Sequence, residues 1–255
     1  MHCLGIDLAW GERARTGLAA LDPSGVLVAS TSVVTDDEIA AFVQRWTSVR
    51  PSDGLVAAVD APLVVPNLTG RRPCEAQVSA AFGRFFAGAY PANRANPAFT
   101  LEPRGARLAR RFGWSIDPET AMSPSTTLAL EVYPHPAMVS LFGLDRVIPY
   151  KLKAGRELPG LRAAYALLLD HLETTCGAVL RLRESSRWAH LRATAAGARR
   201  KSELDRIEDE VDAILCAYLA WLWVHDRSSL TVWGDVRDGY IVTPHPPGEG
   251  PPAVI

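Results

Sequence analysis

Five carboxylates stand in stretches of sequence that are otherwise apolar: Asp7, Asp60, Glu131, Asp209 and Asp212. Asp7 interrupts the apolar run 3–8, Asp60 ends the apolar run 55–59, and Glu131 lies inside TLALEVY at 127–133. Asp209 and Asp212 are three residues apart in SELDRIEDEVDAILCAYLAWLWV, residues 202–224. Desolvating a carboxylate is costly unless a positive charge compensates it. Carboxylates gathered without clustered Cys or His favour a hard cation, Mg²⁺ or Mn²⁺, over Zn²⁺. Two such ions about 4 Å apart activate water and stabilise a leaving oxygen, which is the chemistry of phosphodiester cleavage.

Regular elements must bring these acids together. Leu204, Ile207, Val211, Leu215, Tyr218 and Leu222 recur at steps of three and four, so residues 202–224 read as one packed helix. Asp205, Asp209 and Asp212 form a second stripe on it, continued by Cys216 and Ala220, so the acids follow a face that becomes buried. Ser202 with Asp205 suggests a capping box at its start. Strands are expected at 3–8, 16–21 and 26–33, an antiparallel meander whose second turn is Asp22-Pro23-Ser24-Gly25. Thr35 and Glu38 open an amphipathic helix to about Trp46. The apolar runs 55–59 and 127–133 read as buried parallel strands, and ligands in open α/β sheets collect beyond strand carboxyl ends. Asp7 and Asp60 meet there if their strands are neighbours.

The stretch 66–125 differs in composition. It is rich in arginine, including Arg71 and Arg72, and is expected as a helical insertion with helices near 74–87 and 104–112. Arginines beside an acidic site can hold phosphate by bidentate hydrogen bonds. His135, stiffened between two prolines, is a candidate general base or outer ligand, and Lys151 a candidate phosphate contact; with Arg71 and Arg72 they form the expected substrate set. A short helix at 136–142, a long helix at 158–174, a basic connector at 193–201, paired strands within 230–242 and a tail at 244–255 complete the reading. Trp10, Trp114 and Trp188 are large enough to stack on bases, although such residues usually serve the core.

The chain of 255 residues is 48% hydrophobic, sufficient for one large α/β domain over 1–255. Its 27 basic and 28 acidic residues exclude a globally basic, nucleic-acid-like charge and favour a short or structured substrate over long duplex. No run of 18 apolar residues and no charged leader before an apolar core is present, so a cytoplasmic protein without membrane association is expected. Cys3, Cys74, Cys176 and Cys216 lack zinc or dithiol spacing and read as reduced thiols. The sequence implies no oligomeric state.

GIDLAW with Asp7, VDAPL with Asp60, EVYPHP with Glu131, DEVDAILCAYLAW with Asp209 and Asp212, and GDVRDGYI together resemble the domain-of-unknown-function family 429. That family is described as predicted nucleases of the ribonuclease H-like fold, and the resemblance covers nearly the whole chain. It implies a mixed sheet, three antiparallel strands followed by parallel ones, flanked by helices. It further implies metal ligation by Asp7, Asp60 and Asp212, or its neighbour Asp209, while Glu131 matches the family's own motif. The resulting expectation is a Mg- or Mn-dependent nuclease acting on nucleic acid or nucleotide. Asp7 serves both ions, Asp60 and Asp212 each secure one, and Glu131 or Asp209 acts as outer ligand or proton acceptor. A non-catalytic nucleic-acid or protein-binding module of the same fold is the alternative. An actin-like or sugar-kinase-type phosphotransferase is disfavoured because no second Gly-rich phosphate loop is present.

Overall fold

The computed structural model describes residues 1–47 and 54–248. In chain order the elements are β1 (His2–Asp7), β2 (Thr16–Leu21), β3 (Leu27–Val33), α1 (Asp36–Thr47), β4 (Leu55–Val59), α2 (Pro73–Phe82) and α3 (Arg104–Phe112). They continue as β5 (Thr127–Glu131), α4 (Pro134–Phe142), α5 (Leu158–Thr175), α6 (Gly177–Leu180), α7 (Ser186–Gly197), α8 (Lys201–His225), β6 (Leu230–Asp235) and β7 (Gly239–Pro244). The fold is mixed α/β. A five-stranded sheet in the order β3-β2-β1-β4-β5 pairs β1, β2 and β3 antiparallel and β1, β4 and β5 parallel. β6 and β7 form a separate antiparallel hairpin, joined to the end of β5 by one bridge between Val132 and Val242.

Local chemistry accounts for these elements. The Asp22 carboxylate accepts from the backbone amides of Ser24 and Val26 and so closes the turn between β2 and β3. Thr35 and Glu38 exchange hydrogen bonds across the first turn of α1, a capping box. Tyr133 is held extended by the proline that follows it, Pro134 starts α4 at its first position, and Gly143 ends it in the left-handed conformation.

α8 lies on the sheet, packed against β1, β2, β3 and β4. Its apolar stripe, Leu204 to Leu222, is buried throughout, and from Val211 to Ala220 every side chain is buried. Two glycines permit this approach. A Cβ on Gly5 would overlap the Ala213 carbonyl oxygen and the Ala217 amide, and one on Gly17 would overlap the Asp209 carbonyl. The backbone of α8 therefore rests directly on β1 and β2.

Three expectations are revised. The capping carboxylate of α8 is Glu203, which accepts from the amides of Arg199 and Arg200, so the helix begins before the Ser202–Asp205 pair. The expected basic connector 193–201 is largely helix: Ser185 caps α7 by accepting from the Trp188 amide, and α7 runs on to Gly197. The expected helix 74–87 stops at Phe82 and continues as a 3-10 turn over Gly83–Phe85. The stretch 66–125 connects β4 to β5 and carries α2 and α3. Of the expected tail, Pro244 belongs to β7, while residues 249–255 lie outside the described ones. None of the described helices is long and apolar enough to cross a membrane.

Candidate functional site

Strand register decides which acids meet. Ile6 pairs with Val59 and Val59 with Glu131, while the Asp60 amide donates to the Ile6 carbonyl. Asp7 and Asp60 thus lie one residue past the row that contains Glu131. Alternate residues of a strand face opposite sides of the sheet. Asp7 pairs with Gly17, the residue against which Asp209 of α8 rests, so Asp7 faces α8. Asp209 and Asp212 come down onto the same strand ends from above. Along the helix stripe burial increases step by step: Asp205 is exposed, Asp209 half-buried and Asp212 fully buried.

The acids at this end feel one another. Burial pushes the Asp7 carboxyl well above its ordinary value; Asp60, Asp212 and Asp209 push the same way, and Lys151 opposes them. Burial raises Asp60 to about 7, with Lys151 again opposing and Asp212 and Asp209 adding to the rise. Asp209 rises to about 6 through burial and the neighbouring Asp212. The Oδ2 atom of Asp7 is buried with no hydrogen-bond partner among the described residues. Asp212, by contrast, is held on both oxygens: the Tyr150 hydroxyl lies 2.6 Å from Oδ1 and 2.8 Å from Oδ2, and Lys151 Nζ is 2.8 Å from Oδ2. Among the described residues, no three or more His, Cys, Asp or Glu side chains are drawn together at the spacing a metal ion needs.

Glu131 has a different position and different partners. Arg72 donates to its two oxygens at 2.6 and 2.9 Å, and the Leu63 amide donates at 2.9 Å. Arg72 also donates to Glu75 and to the Val64 carbonyl, and it is 2% exposed. The expected ligand Glu131 and the expected phosphate contact Arg72 therefore consume each other's hydrogen-bonding capacity in a buried ion pair. Neither is free for a ligand. A second buried arginine, Arg104, donates to Asp36 and to the carbonyls of Ala9, Gly11 and Val34, which braces the loop following Asp7.

The remaining expected residues border openings at this end of the sheet. Arg71, His135 and Lys151 line a cleft of about 530 Å³. Burial and the nearby Lys151 lower His135 to about 4, so its ring is neutral at neutral pH; its Nδ1 lies 3.3 Å from the Tyr133 hydroxyl. A second opening of about 470 Å³, bordered by Arg13, Arg15, Asp205 and Asp209, reaches Asp7. Trp114 and Trp188 are core residues, whereas Trp10 is 36% exposed and packs on Phe99.

Three contributors were not singled out from sequence. Tyr150 anchors Asp212, Glu208 accepts from the Leu152 amide and is raised to about 7 by burial, and Arg15 faces Asp209. Glu208 sits one residue from Asp209, and a third acid in that turn of α8 was the available signal. Tyr150 carried no such signal. No curated protein and no solved structure matches the chain. The family described as "Protein of unknown function (DUF429)" matches residues 5–236, and the chain belongs to it.

Proposed function

We propose that the protein is a metal-dependent phosphodiester hydrolase acting on nucleic acid, built on a ribonuclease H-like fold. The sheet order, an antiparallel triple extended by two parallel strands, supports the fold. The observation that carries the catalytic reading is the Asp7 Oδ2 atom, buried without a donor beside Asp60, Asp209 and Asp212. An oxygen in such a place keeps its charge only when a cation takes it, and without one the carboxyl tends to hold its proton. A donor set made only of carboxylate oxygens suits Mg²⁺ or Mn²⁺. Asp7, Asp60 and Asp212, which do not stand at a common ion's spacing here, would have to close on the ion to hold it, with Asp209 beside them. When bound, it supplies an activated water and stabilises charge on the phosphoryl oxygens.

The chain's own residues then have separable tasks. Lys151 offsets the mutual repulsion of the acids, and Tyr150 fixes the direction of the Asp212 carboxylate. His135, neutral and at the cleft, is able to accept a proton at a ring nitrogen. The four buried, free cysteines suit a reducing compartment, the cytoplasm.

Calorimetric titration of Mn²⁺ and Mg²⁺, combined with cleavage assays on single-stranded and duplex DNA and RNA, tests this reading. Asp7→Asn should abolish both metal binding and cleavage without loss of fold. Cleavage that survives that substitution, or survives chelation of divalent ions, removes it. The Lys151–Asp212 ion pair favours one second reading, a nucleic-acid-binding module whose acids are satisfied by lysine. Salt-dependent binding without metal-dependent turnover would select that alternative.

A further inference from the structure

The cleft beside the acids is strongly asymmetric in charge. Arg71, Arg146, Lys151, Lys153 and Arg156 line it, and its lining contains no Asp or Glu, although the whole chain carries a formal net charge of −1. Lys151 is paired with Asp212. The other four form no ion pair among the described residues. Four uncompensated cations facing one concavity raise the local concentration of anions and mark the path of a phosphate backbone.

Two aromatic rings stand at the same cleft in positions that packing does not explain. Phe86 is 66% exposed and Tyr90 60% exposed. Phe86 also adopts a left-handed backbone, φ +60°, one of two non-glycine residues with positive φ among those described. That conformation closes the 3-10 turn over Gly83–Phe85 and is strained for a residue with a side chain, a strain that tends to cluster at functional positions. Each ring is set by a cation: the Arg146 guanidinium carbon lies 4.2 Å from the Phe86 centroid, and Lys153 donates to the Tyr90 hydroxyl at 3.2 Å. An exposed ring flanked by a cation offers a stacking face for a base and a charge for the phosphate attached to it.

We infer that this cleft is the seat of a single-stranded nucleic acid, with unpaired bases stacked on Phe86 and Tyr90 and phosphates drawn along Arg71, Arg146, Lys153 and Arg156 towards Lys151. The last of these belongs also to the acid cluster, so a strand in the cleft presents a phosphodiester to Asp7, Asp60 and Asp212. Free polyphosphate would use the cations and leave the rings idle. A duplex keeps its base faces stacked internally and has no use for the rings either. The inference deepens the hydrolase reading and rests on it for the fate of the strand, but binding itself requires no divalent ion.

Fluorescence anisotropy with a short labelled oligothymidylate, measured on the full chain in EDTA, separates the two. Phe86→Gly suits the left-handed backbone and should melt no lower than wild type while weakening binding about tenfold; Tyr90→Ala should weaken it similarly. Arg146→Ala and Lys153→Ala should each flatten the dependence of log K on log salt by about 0.7. Unchanged affinity in both ring variants overturns the inference. So does duplex binding as tight as single-strand binding, or inorganic tripolyphosphate that binds as tightly as the oligonucleotide. Tight binding lost in these variants, in a protein that cleaves nothing with Mg²⁺ or Mn²⁺, leaves the inference standing and removes only the hydrolase reading.

Discussion

Two groups of charges lie at the carboxyl ends of β1, β4 and β5, one fully buried and one partly so, and they are compensated to different degrees. In one, Arg72 is shared between Glu75 and Glu131, and every carboxylate oxygen has a donor: Glu75 accepts from Arg72 and the Ala92 amide, Glu131 from Arg72 and the Leu63 amide. In the other, Lys151 pairs with Asp212 and also feels Asp7 and Asp60, Asp209 lies beside Asp212, and one Asp7 oxygen has no donor. A saturated buried network specifies and holds a structure. An unsaturated one is a reservoir of binding capacity, which the proposed function assigns to a ligand. The contrast is why the proposed function gives the same residue type different roles a few residues apart along the sheet.

The largest effect should follow from disturbing the saturated group. Arg72→Met leaves Glu75 and Glu131 buried without their cation and should cost about 3–5 kcal/mol, read as a lower urea midpoint at unchanged slope. A loss under about 1 kcal/mol would mean that the two groups are not different in kind. Lys151→Met should cost less, about 1–3 kcal/mol, because Tyr150 still holds Asp212 and the lysine is 25% exposed. The comparison sharpens on adding Mn²⁺: this variant should regain more thermal stability than wild type does, since the ion no longer competes with an ammonium group. The Arg72→Met protein should regain none beyond the wild-type gain.

Gly17→Ala probes how the unsaturated group is assembled. The added methyl must push α8 from β2 at Asp209, at a cost of about 1–3 kcal/mol. Gly5→Ala meets the same helix at Ala213 and Ala217, where the adjacent acid, Asp212, is held in place by Tyr150 and Lys151, and should cost a similar amount. Metal affinity should drop more in Gly17→Ala than in Gly5→Ala. Equal losses would show that the position of Asp209 does not matter to the site.

Much of this was legible in the sequence because the signals are local. The apolar runs 16–21 and 55–59 fall on β2 and β4, and the helix periodicity of 104–112 falls on α3. Acids at strand ends, and acids spaced along one helix stripe, are patterns that one-dimensional reading handles well, so the gathering of Asp7, Asp60, Asp209 and Asp212 was accessible. Glu131 was not separable from them, since its face depends on the pairing register of β5 with β4, which sets Glu131 opposite Val59 and not Asp60. Arg72 was expected to contact phosphate because the carboxylates that hold it, three and fifty-nine residues away, gave no sign in the sequence of pairing with it. The basic cleft draws on Arg71, Arg146, Lys153 and Arg156, which only the return of the chain past α4 brings together. α7 was missed because its apolar residues lack a clear period, although the Ser185 cap was there to be read.

The smallest stability change belongs to the residue with the greatest proposed importance. In Asp7→Asn a half-buried carboxyl that is repelled by Asp60, Asp209 and Asp212 becomes a neutral amide of nearly the same shape. The amide nitrogen adds donors facing those acids, and the orphaned oxygen loses its charge. The change should therefore leave stability within about 1 kcal/mol of wild type, on the favourable side, by chemical denaturation without divalent ions. With Mn²⁺ present the order should invert, because wild type is stabilised by the ion it binds and the variant is not. A variant that is destabilised by several kcal/mol without metal would show that Asp7 is held as tightly as Glu131, and the distinction between the two groups of charges would collapse.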